Sequence, residues 1–184
     1  MNHVRCRWCN CKNPVYIKYH DNEWGVPLHD DQKLFELLIL ESFQAGLSWE
    51  TILYKRENFR KAFDEFDPAL IQNYDSSKIL SLMTDSGIIR NRRKIEAAIV
   101  NARVFLEIQK EWGSFNAYIW HFTDGTTVHE LDRVTSPLSD LISKDLKKHG
   151  MKFVGSTIIY SYLQAIGIIY SHERACFLHR AANV

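Results

Sequence analysis

The sequence lacks the features that mark membrane and secreted proteins. Nowhere in its 184 residues is there a run of about 18 apolar residues, the length that a membrane-spanning helix needs. The first residues, MNHVRCRWCNCKNP, are polar and contain no apolar segment of the kind found in secretory signals. We therefore expect a cytoplasmic protein with no membrane partner.

The sequence also lacks a strong net charge and the alternating pattern of β-strands. Its formal net charge is only +1, so a polyanionic partner would have to be held by local basic clusters. No segment sustains an alternation of apolar and polar residues, and the one Asp-Gly pair, at 124–125, has no alternating flanks. The fold class is predicted to be all-α, and nothing in the sequence suggests more than a monomer.

Helical periodicity and end signals account for most of the chain. Apolar residues recur at helical spacing, two prolines follow residues able to cap a helix start, and glycines stand where three helices should end. The predicted helices are 31–45, 49–63, a short helix from Pro68, a helix ending at Gly87, 91–111 closed by Gly113, 114–122, a helix from Pro137 to Gly150, and a core helix in GSTIIYSYLQAIGII. The stretch TDGTTVHELDRVTS is predicted to be a long loop.

The four cysteines are too few and too unevenly placed for a disulfide framework. Three lie near the start of the chain and Cys176 lies near its end, and disulfides are rare in a reducing cytosol. A Cys-x2-Cys spacing is typical of zinc sites, and His172 shares a helical face with Cys176. The candidate ligands are Cys6, Cys9, Cys11, His20, His172 and Cys176. The spacing favours a structural zinc site, but it leaves open two ligands from each terminus, three thiols with one histidine, or free thiols.

The stretch LMTDSGIIRNRRKIEAAI, residues 82–99, has the layout of two helices joined by a tight apolar turn. Four cations stand where the second helix begins, although a helix dipole disfavours positive charge there. These cations are Arg90, Arg92, Arg93 and Lys94. A phosphate bound at the helix start would explain the placement, so the segment is a candidate DNA contact. The alternative is an ordinary corner with solvated charges. A second basic cluster, KDLKKHGMK at 144–152, adds a little support.

The stretch LFELLILESFQAGLSW, residues 34–49, carries a carboxylate where a core residue belongs. Glu41 falls within the apolar stripe formed by Leu34, Leu37, Leu38 and Ala45. It is either a buried group with a functional partner or a charge that reaches solvent near the helix end, and burial without a partner would be costly. The aromatic residues of VYIKYHDNEWG, with Trp49, would suit a flat cationic ligand beside a carboxylate, although each one alone is more often a core residue.

Four blocks of sequence are long enough to compare with known families. They are YHDNEWGVP (19–27), LESFQAGLSW (40–49), GIIRNRRKI (87–95) and KFVGSTIIYSYLQAIG (152–167). Together they closely resemble the bacterial DNA-3-methyladenine glycosylase I enzymes, over roughly residues 5–177. The resemblance implies a helix-hairpin-helix glycosylase fold. It also implies a helical lobe at 27–135 and a smaller zinc-tied lobe, residues 1–26 with 136–184, around a cleft.

The resemblance also assigns residues to roles. It implies zinc ligands at Cys6, His20, His172 and Cys176, which leaves Cys9 and Cys11 without a role. It implies a base pocket made by Tyr16, Tyr19, Glu41 and Trp49, with Glu41 the candidate catalytic residue. The predicted DNA contacts are Gly46 and Leu47 in a probing loop and Gly87, Arg90, Arg92 and Lys94 at the hairpin.

The implied reaction is hydrolysis of the bond between deoxyribose and 3-methyladenine in double-stranded DNA, which releases the free base and leaves an abasic site. No lysine matches the pattern of a Schiff-base nucleophile, so a monofunctional enzyme without strand cleavage is predicted. Asp132 lies in the region where related enzymes carry an aspartate, but its position gives no motif match. Two alternatives remain: a non-catalytic DNA-binding module with a structural zinc, and a glycosylase for another lesion.

Overall fold

The computed structural model describes residues 3–180. Within that range the chain forms nine α-helices, one short 3₁₀ helix (Asp64–Phe66) and one pair of two-residue strands. The helices are α1 (Pro14–Asn22), α2 (Asp31–Gln44), α3 (Trp49–Ala62), α4 (Pro68–Ile71), α5 (Ser76–Thr84), α6 (Arg92–Trp112), α7 (Phe115–His121), α8 (Pro137–Lys148) and α9 (Ser156–Ala165). The strands are β1 (Val128–His129) and β2 (Ile169–Tyr170), which pair in parallel.

Helix α2 lies at the centre of the molecule. Every residue from Leu34 to Phe43 is buried, so this helix has no solvent-facing side over nearly three turns. Helices α3, α6 and α9 pack around it, and the Tyr162 hydroxyl of α9 donates to the carbonyl oxygen of Leu34 at 3.1 Å. A helix buried on all sides cannot bring a polar side chain to solvent, which decides the environment of Glu41.

The all-α prediction is confirmed, with local differences at both chain ends. Helix α1 was not predicted, although Asn13 and Pro14 carry its start signals: the Asn13 side chain accepts from two helix N–H groups and Pro14 is the first helical residue. The core helix was predicted to reach Ile169 but ends at Ala165. Gly167, with φ of +76°, turns the chain so tightly against Val26 that a Cβ there would lie 2.4 Å from backbone atoms.

Two of the three glycine end signals are confirmed and the third is wrong. Gly113 (φ +81°) and Gly150 (φ +102°) follow the ends of α6 and α8 in left-handed conformations. Helix α5 instead ends at Thr84, three residues before Gly87, whose φ is not positive. The surroundings of Gly87 are instead tightly packed, because a Cβ there would lie 3.1 Å from the Cβ of Asn58.

The buried apolar side chains form one continuous cluster. It includes residues of the helical segment 27–135 and of both chain ends, so the division into two lobes stays a prediction. Among residues 3–180, no helix is both long and apolar enough to cross a membrane.

Candidate active site and metal centre

Glu41 is buried with an unpaired oxygen. Its residue surface is only 3 % exposed, and Oε2 has no hydrogen-bond partner among the described residues. Burial raises the pKa of the carboxyl to about 8. The alternative in which Glu41 is a helix-end charge that reaches solvent is therefore wrong, because α2 is buried from Leu34 to Phe43. A carboxyl group held in this way is a candidate for binding a ligand.

Glu41 lines a cavity of about 300 Å³ to which five aromatic side chains contribute. Tyr16 and Tyr19 project from α1, Trp49 begins α3, and the rings of Tyr19 and Trp49 lie 5.4 Å apart between centroids. The Trp49 indole Nε1 is also buried without a partner within residues 3–180. The structure thus brings together all four side chains of the predicted base pocket, with one unpaired acceptor and one unpaired donor among them.

A second cluster joins the two chain ends beside α1. The ligand atoms of four buried residues lie within 4.8 Å of one another, and these residues are Cys6, His20, His172 and Cys176. Sulfur-to-nitrogen distances in the cluster are 3.5 to 3.6 Å. A zinc tetrahedron with ordinary bond lengths has sulfur–nitrogen edges of roughly 3.5 Å, so the spacing fits a closed four-ligand site. Cys9 and Cys11 lie outside this set.

The other ring nitrogen of each cluster histidine is held by a neighbour. His20 Nδ1 lies 2.7 Å from Asp21 Oδ1, and His172 Nε2 lies 3.3 Å from the Trp24 carbonyl oxygen. Asp21 is in turn bound by the Arg5 guanidinium, whose hydrogen bond lowers the pKa of that carboxyl. These contacts orient His20 Nε2 and His172 Nδ1 toward the two thiols, the usual supporting arrangement for metal-binding histidines.

The hairpin between α5 and α6 is pinned to α3. Lys55 Nζ donates to the carbonyl oxygens of Ser86 and Gly87 at 3.0 and 3.3 Å, and the Asp85 carboxylate accepts from the Gly87 N–H at 2.7 Å. Ile88 is buried beneath the turn. Two of the predicted DNA contacts, Arg90 and Arg92, are exposed on this hairpin.

Lys94 departs from the expectation of a DNA contact. Only 8 % of the residue is exposed, and its Nζ donates to the carbonyl oxygens of Phe43 and Ala45 at 2.8 and 2.7 Å. Burial lowers the pKa of this ammonium. Lys94 therefore satisfies the carbonyls at the end of α2 instead of facing a phosphate. It supports the turn that contains the other two predicted contacts, Gly46 (φ +82°) and the 39 %-exposed Leu47.

Residues 8–179 match the family model described as methyladenine glycosylase. The chain belongs to the methyladenine glycosylase family. It is 47 % identical over 179 residues to DNA-3-methyladenine glycosylase 1 of Escherichia coli strain K12, which covers 94 % of this chain and 95 % of that protein. The expectation drawn from the four sequence blocks is thus confirmed.

Solved structures of family members have the same fold. A crystal structure of 3-methyladenine DNA glycosylase I matches with a TM-score of 0.92 at 45 % identity, over 96 % of this chain and 100 % of the other. A tyrosine-to-phenylalanine variant of a 3-methyladenine DNA glycosylase I, solved in complex with 3-methyladenine, matches with a TM-score of 0.91 at 36 % identity, over 97 % and 99 % of the two chains. The glycosylase fold implied by the motif blocks is confirmed by these matches.

Sequence reasoning missed several parts of the cavity wall. Trp8 lies in the turn closed by the hydrogen bond from the Cys9 N–H to the Cys6 carbonyl oxygen, and its ring is 4.7 Å from that of Trp24 and 5.4 Å from that of Tyr16. The other unpredicted lining residues are Gln44, Asp132, Arg133, Ser161, Gln164, Ser171 and Glu173. The signal for Trp8 was its place inside the Cys-x2-Cys segment, which ties one wall of the cavity to the metal cluster.

The raised pKa of Glu41 predicts a pH-dependent stability. The folded protein holds this proton up to about pH 8, whereas the unfolded chain releases it near 4.5. Between these two pH values the folded state binds more protons than the unfolded state. The contribution of Glu41 to the free energy of unfolding therefore falls as pH rises, by up to about 1.4 kcal/mol per pH unit. Urea unfolding of wild type and Glu41→Gln from pH 5 to 8 should give a shallower slope for the variant, and equal slopes would contradict the assignment.

Proposed function

We propose that this protein is a monofunctional base-excision repair glycosylase that hydrolyses the N-glycosidic bond of 3-methyladenine in alkylated double-stranded DNA. Its products are the free base and an abasic site. The observation that carries this is Glu41, a buried carboxyl with an unpaired oxygen, in a cavity that Tyr16, Tyr19 and Trp49 also line. Family membership and the complex of a relative with 3-methyladenine support the same substrate.

The cavity suits a single flat base. About 300 Å³ is at the small end of the range for ligand cavities. Adenine presents an amino donor and a ring acceptor along one edge, and the Glu41 oxygen and the Trp49 indole N–H supply an acceptor and a donor without protein partners. Tyr16 and Tyr19 provide aromatic surface for the ring faces. The base must leave the duplex stack to enter, and an alkylated pair costs less to open.

The charge of the substrate explains the choice of a carboxylate. 3-Methyladenine is cationic while it is attached to the sugar, so an ionised Glu41 favours it over neutral adenine. A cation in the cavity also favours ionisation of a carboxyl whose pKa burial has raised. The methylated base leaves readily as a neutral molecule, so the reaction needs little acid catalysis. We assign Glu41 as the candidate catalytic residue, with base recognition as its main task.

The remaining roles belong to the same proposal. The exposed Arg90 and Arg92 at the Gly87 hairpin hold DNA phosphates, and the Gly46–Leu47 turn beside the cavity probes the duplex. Zn²⁺ at the four-ligand cluster is structural, because four protein ligands leave no open position. We propose a cytoplasmic monomer, with the lobe boundaries at 27–135 and at 1–26 with 136–184.

Incubation with methylated DNA tests the reaction. We expect release of 3-methyladenine and abasic sites without strand breaks. No lysine lines the cavity within residues 3–180, so borohydride should trap no covalent adduct with an abasic duplex. A protein that binds DNA but releases no base would be the non-catalytic module instead. An adduct would overturn the monofunctional assignment, and comparable release of uracil, a neutral base, would contradict the charge argument.

A further inference from the structure

Helix α1 serves both sites at once. Tyr16 and Tyr19 line the base cavity, and His20 belongs to the metal cluster. The helix has only nine residues, too few to be stable by itself in water. Its position must therefore be set by contacts with the rest of the protein. Besides the Arg5–Asp21 pair, α3 makes a polar contact at each of its two ends.

The start of α1 is held through Glu50. The Glu50 carboxylate accepts from the side-chain amides of Asn10 and Asn13 at 2.9 and 2.8 Å. Asn13 is the capping residue of α1, and its Oδ1 accepts from the Val15 and Tyr16 N–H groups. One end of α1 is thus attached to the first turn of α3, close to Trp49.

The end of α1 is held through Arg56. Glu23 directly follows the last residue of α1, and its Oε2 accepts from Arg56 Nη1 at 2.6 Å. Arg56 Nε donates to Oε1 of Glu36, a residue of α2, at 2.6 Å. The Arg56 and Glu36 side chains are 13 % and 7 % exposed, so solvent screens that pair only weakly. Arg56 itself belongs to α3. It therefore connects the three helices that carry Tyr19, Glu41 and Trp49.

The charges around Arg56 make it possible to distinguish an effect on the position of α1 from an effect on the stability of the fold. Glu36 is also bound by Arg60 Nη2 at 2.8 Å, so the buried carboxylate keeps a cationic partner without Arg56. Glu23, in contrast, has Arg56 as its ion-pair partner among the described residues and is 39 % exposed. Buried ion pairs often add little net stability, and their best-attested effect is to fix geometry.

We infer that Arg56 is a positioning residue for base recognition: through Glu23 and Glu36 it sets the distance of the tyrosines of α1 from Glu41 of α2 and Trp49 of α3. The inference rests on the proposed function for its consequence, since the cavity that it shapes is the one proposed to bind 3-methyladenine. Arg60 is the matched control, because it lies one turn further along α3 and shares Glu36 but does not reach Glu23.

Four variants test the inference: Arg56→Met, Arg56→Lys, Arg60→Met and Glu23→Gln. Calorimetric titration with free 3-methyladenine should show affinity weakened about tenfold in Arg56→Met and Glu23→Gln, partly restored in Arg56→Lys, and within twofold of wild type in Arg60→Met. The double variant Arg56→Met/Glu23→Gln should lose no more affinity than Arg56→Met alone, because the two groups act as one pair. Additive losses, or an equal loss in Arg60→Met, would overturn the positioning role.

A second measurement on the ligand-free protein separates this inference from the proposed function. The NMR signals of the Trp49 indole and of the α1 amides should shift in Arg56→Met and Glu23→Gln, with the Arg60→Met spectrum unchanged there. Those shifts would support the positioning role even if wild type bound no 3-methyladenine. Absence of binding by wild type would contradict the proposed substrate alone. Unchanged α1 signals in both Arg56→Met and Glu23→Gln would refute the positioning role itself.

Discussion

Replacing Glu41 with glutamine is expected to lower the rate of 3-methyladenine release from methylated DNA by about tenfold to a hundredfold. Glutamine keeps the shape and one hydrogen-bonding oxygen but removes the negative charge. Hydrogen bonds to a charged group contribute about 1.5–3 kcal/mol, which sets that range. Glu41→Ala should lose at least as much, because it also removes the acceptor. The measurement is the single-turnover rate of base release, with enzyme in excess over lesions.

The stability of the same variant should move the other way. Burial of the ionised carboxyl is unfavourable in the ligand-free protein, so Glu41→Gln should unfold at an equal or higher temperature than wild type near pH 8. Glu107→Gln, at an exposed position of α6, is the matched control and should leave both quantities unchanged. A Glu41→Gln enzyme that excises 3-methyladenine within twofold of the wild-type rate would remove the role that we assign to the charge.

Helical periodicity identified Glu41 as an unusual residue, but the structure gives a different reason why it is unusual. The prediction treated α2 as amphipathic and Glu41 as a charge on its apolar side. In the structure both sides of α2 are buried, and Glu36 and Ser42 are buried too. Glu36 has two arginine partners and Ser42 donates to the Leu38 carbonyl oxygen, whereas Glu41 Oε2 has no partner within residues 3–180. Helical periodicity could find a misplaced carboxylate, but only tertiary contacts show which buried polar group is left unpaired.

Other features of the structure could not be predicted from local sequence patterns, because they depend on contacts between distant segments. Lys94 stands among three exposed arginines in sequence, and its burial follows from the way α6 crosses the end of α2. Gly87 has the sequence signal of a helix end, but in the structure it packs closely against Asn58, which is far away in sequence. The β1–β2 pair joins residues about forty positions apart, and two-residue strands leave no periodicity to detect. Long, strongly periodic helices were therefore predicted well, and close contacts between distant segments were not.

Loss of the metal is expected to destabilise the whole protein. The four proposed ligands lie at residues 6 and 20 and at residues 172 and 176, so a metal bound there would close a loop of more than 150 residues. By analogy with a disulfide that closes a loop of that length, the tie should stabilise the fold by roughly 5 kcal/mol. For a chain of this size that corresponds to a fall in Tm of about 10–20 °C. His172→Ala, or prolonged chelation of wild type, should produce a fall in this range.

Metal content and proton release make this prediction specific to the four-ligand site. Elemental analysis should find one zinc per chain in wild type and in Cys11→Ser, whose thiol is exposed and lies outside the cluster, and little in Cys176→Ser. Burial raises the pKa of the Cys6 thiol to about 12, so a bound cation is needed to hold it as a thiolate. Zinc added to the metal-free protein near pH 7 should therefore release the proton of the Cys6 thiol. If Cys176→Ser kept the metal and the wild-type Tm while Cys11→Ser lost them, the ligands would have to be sought among the thiols near the N-terminus.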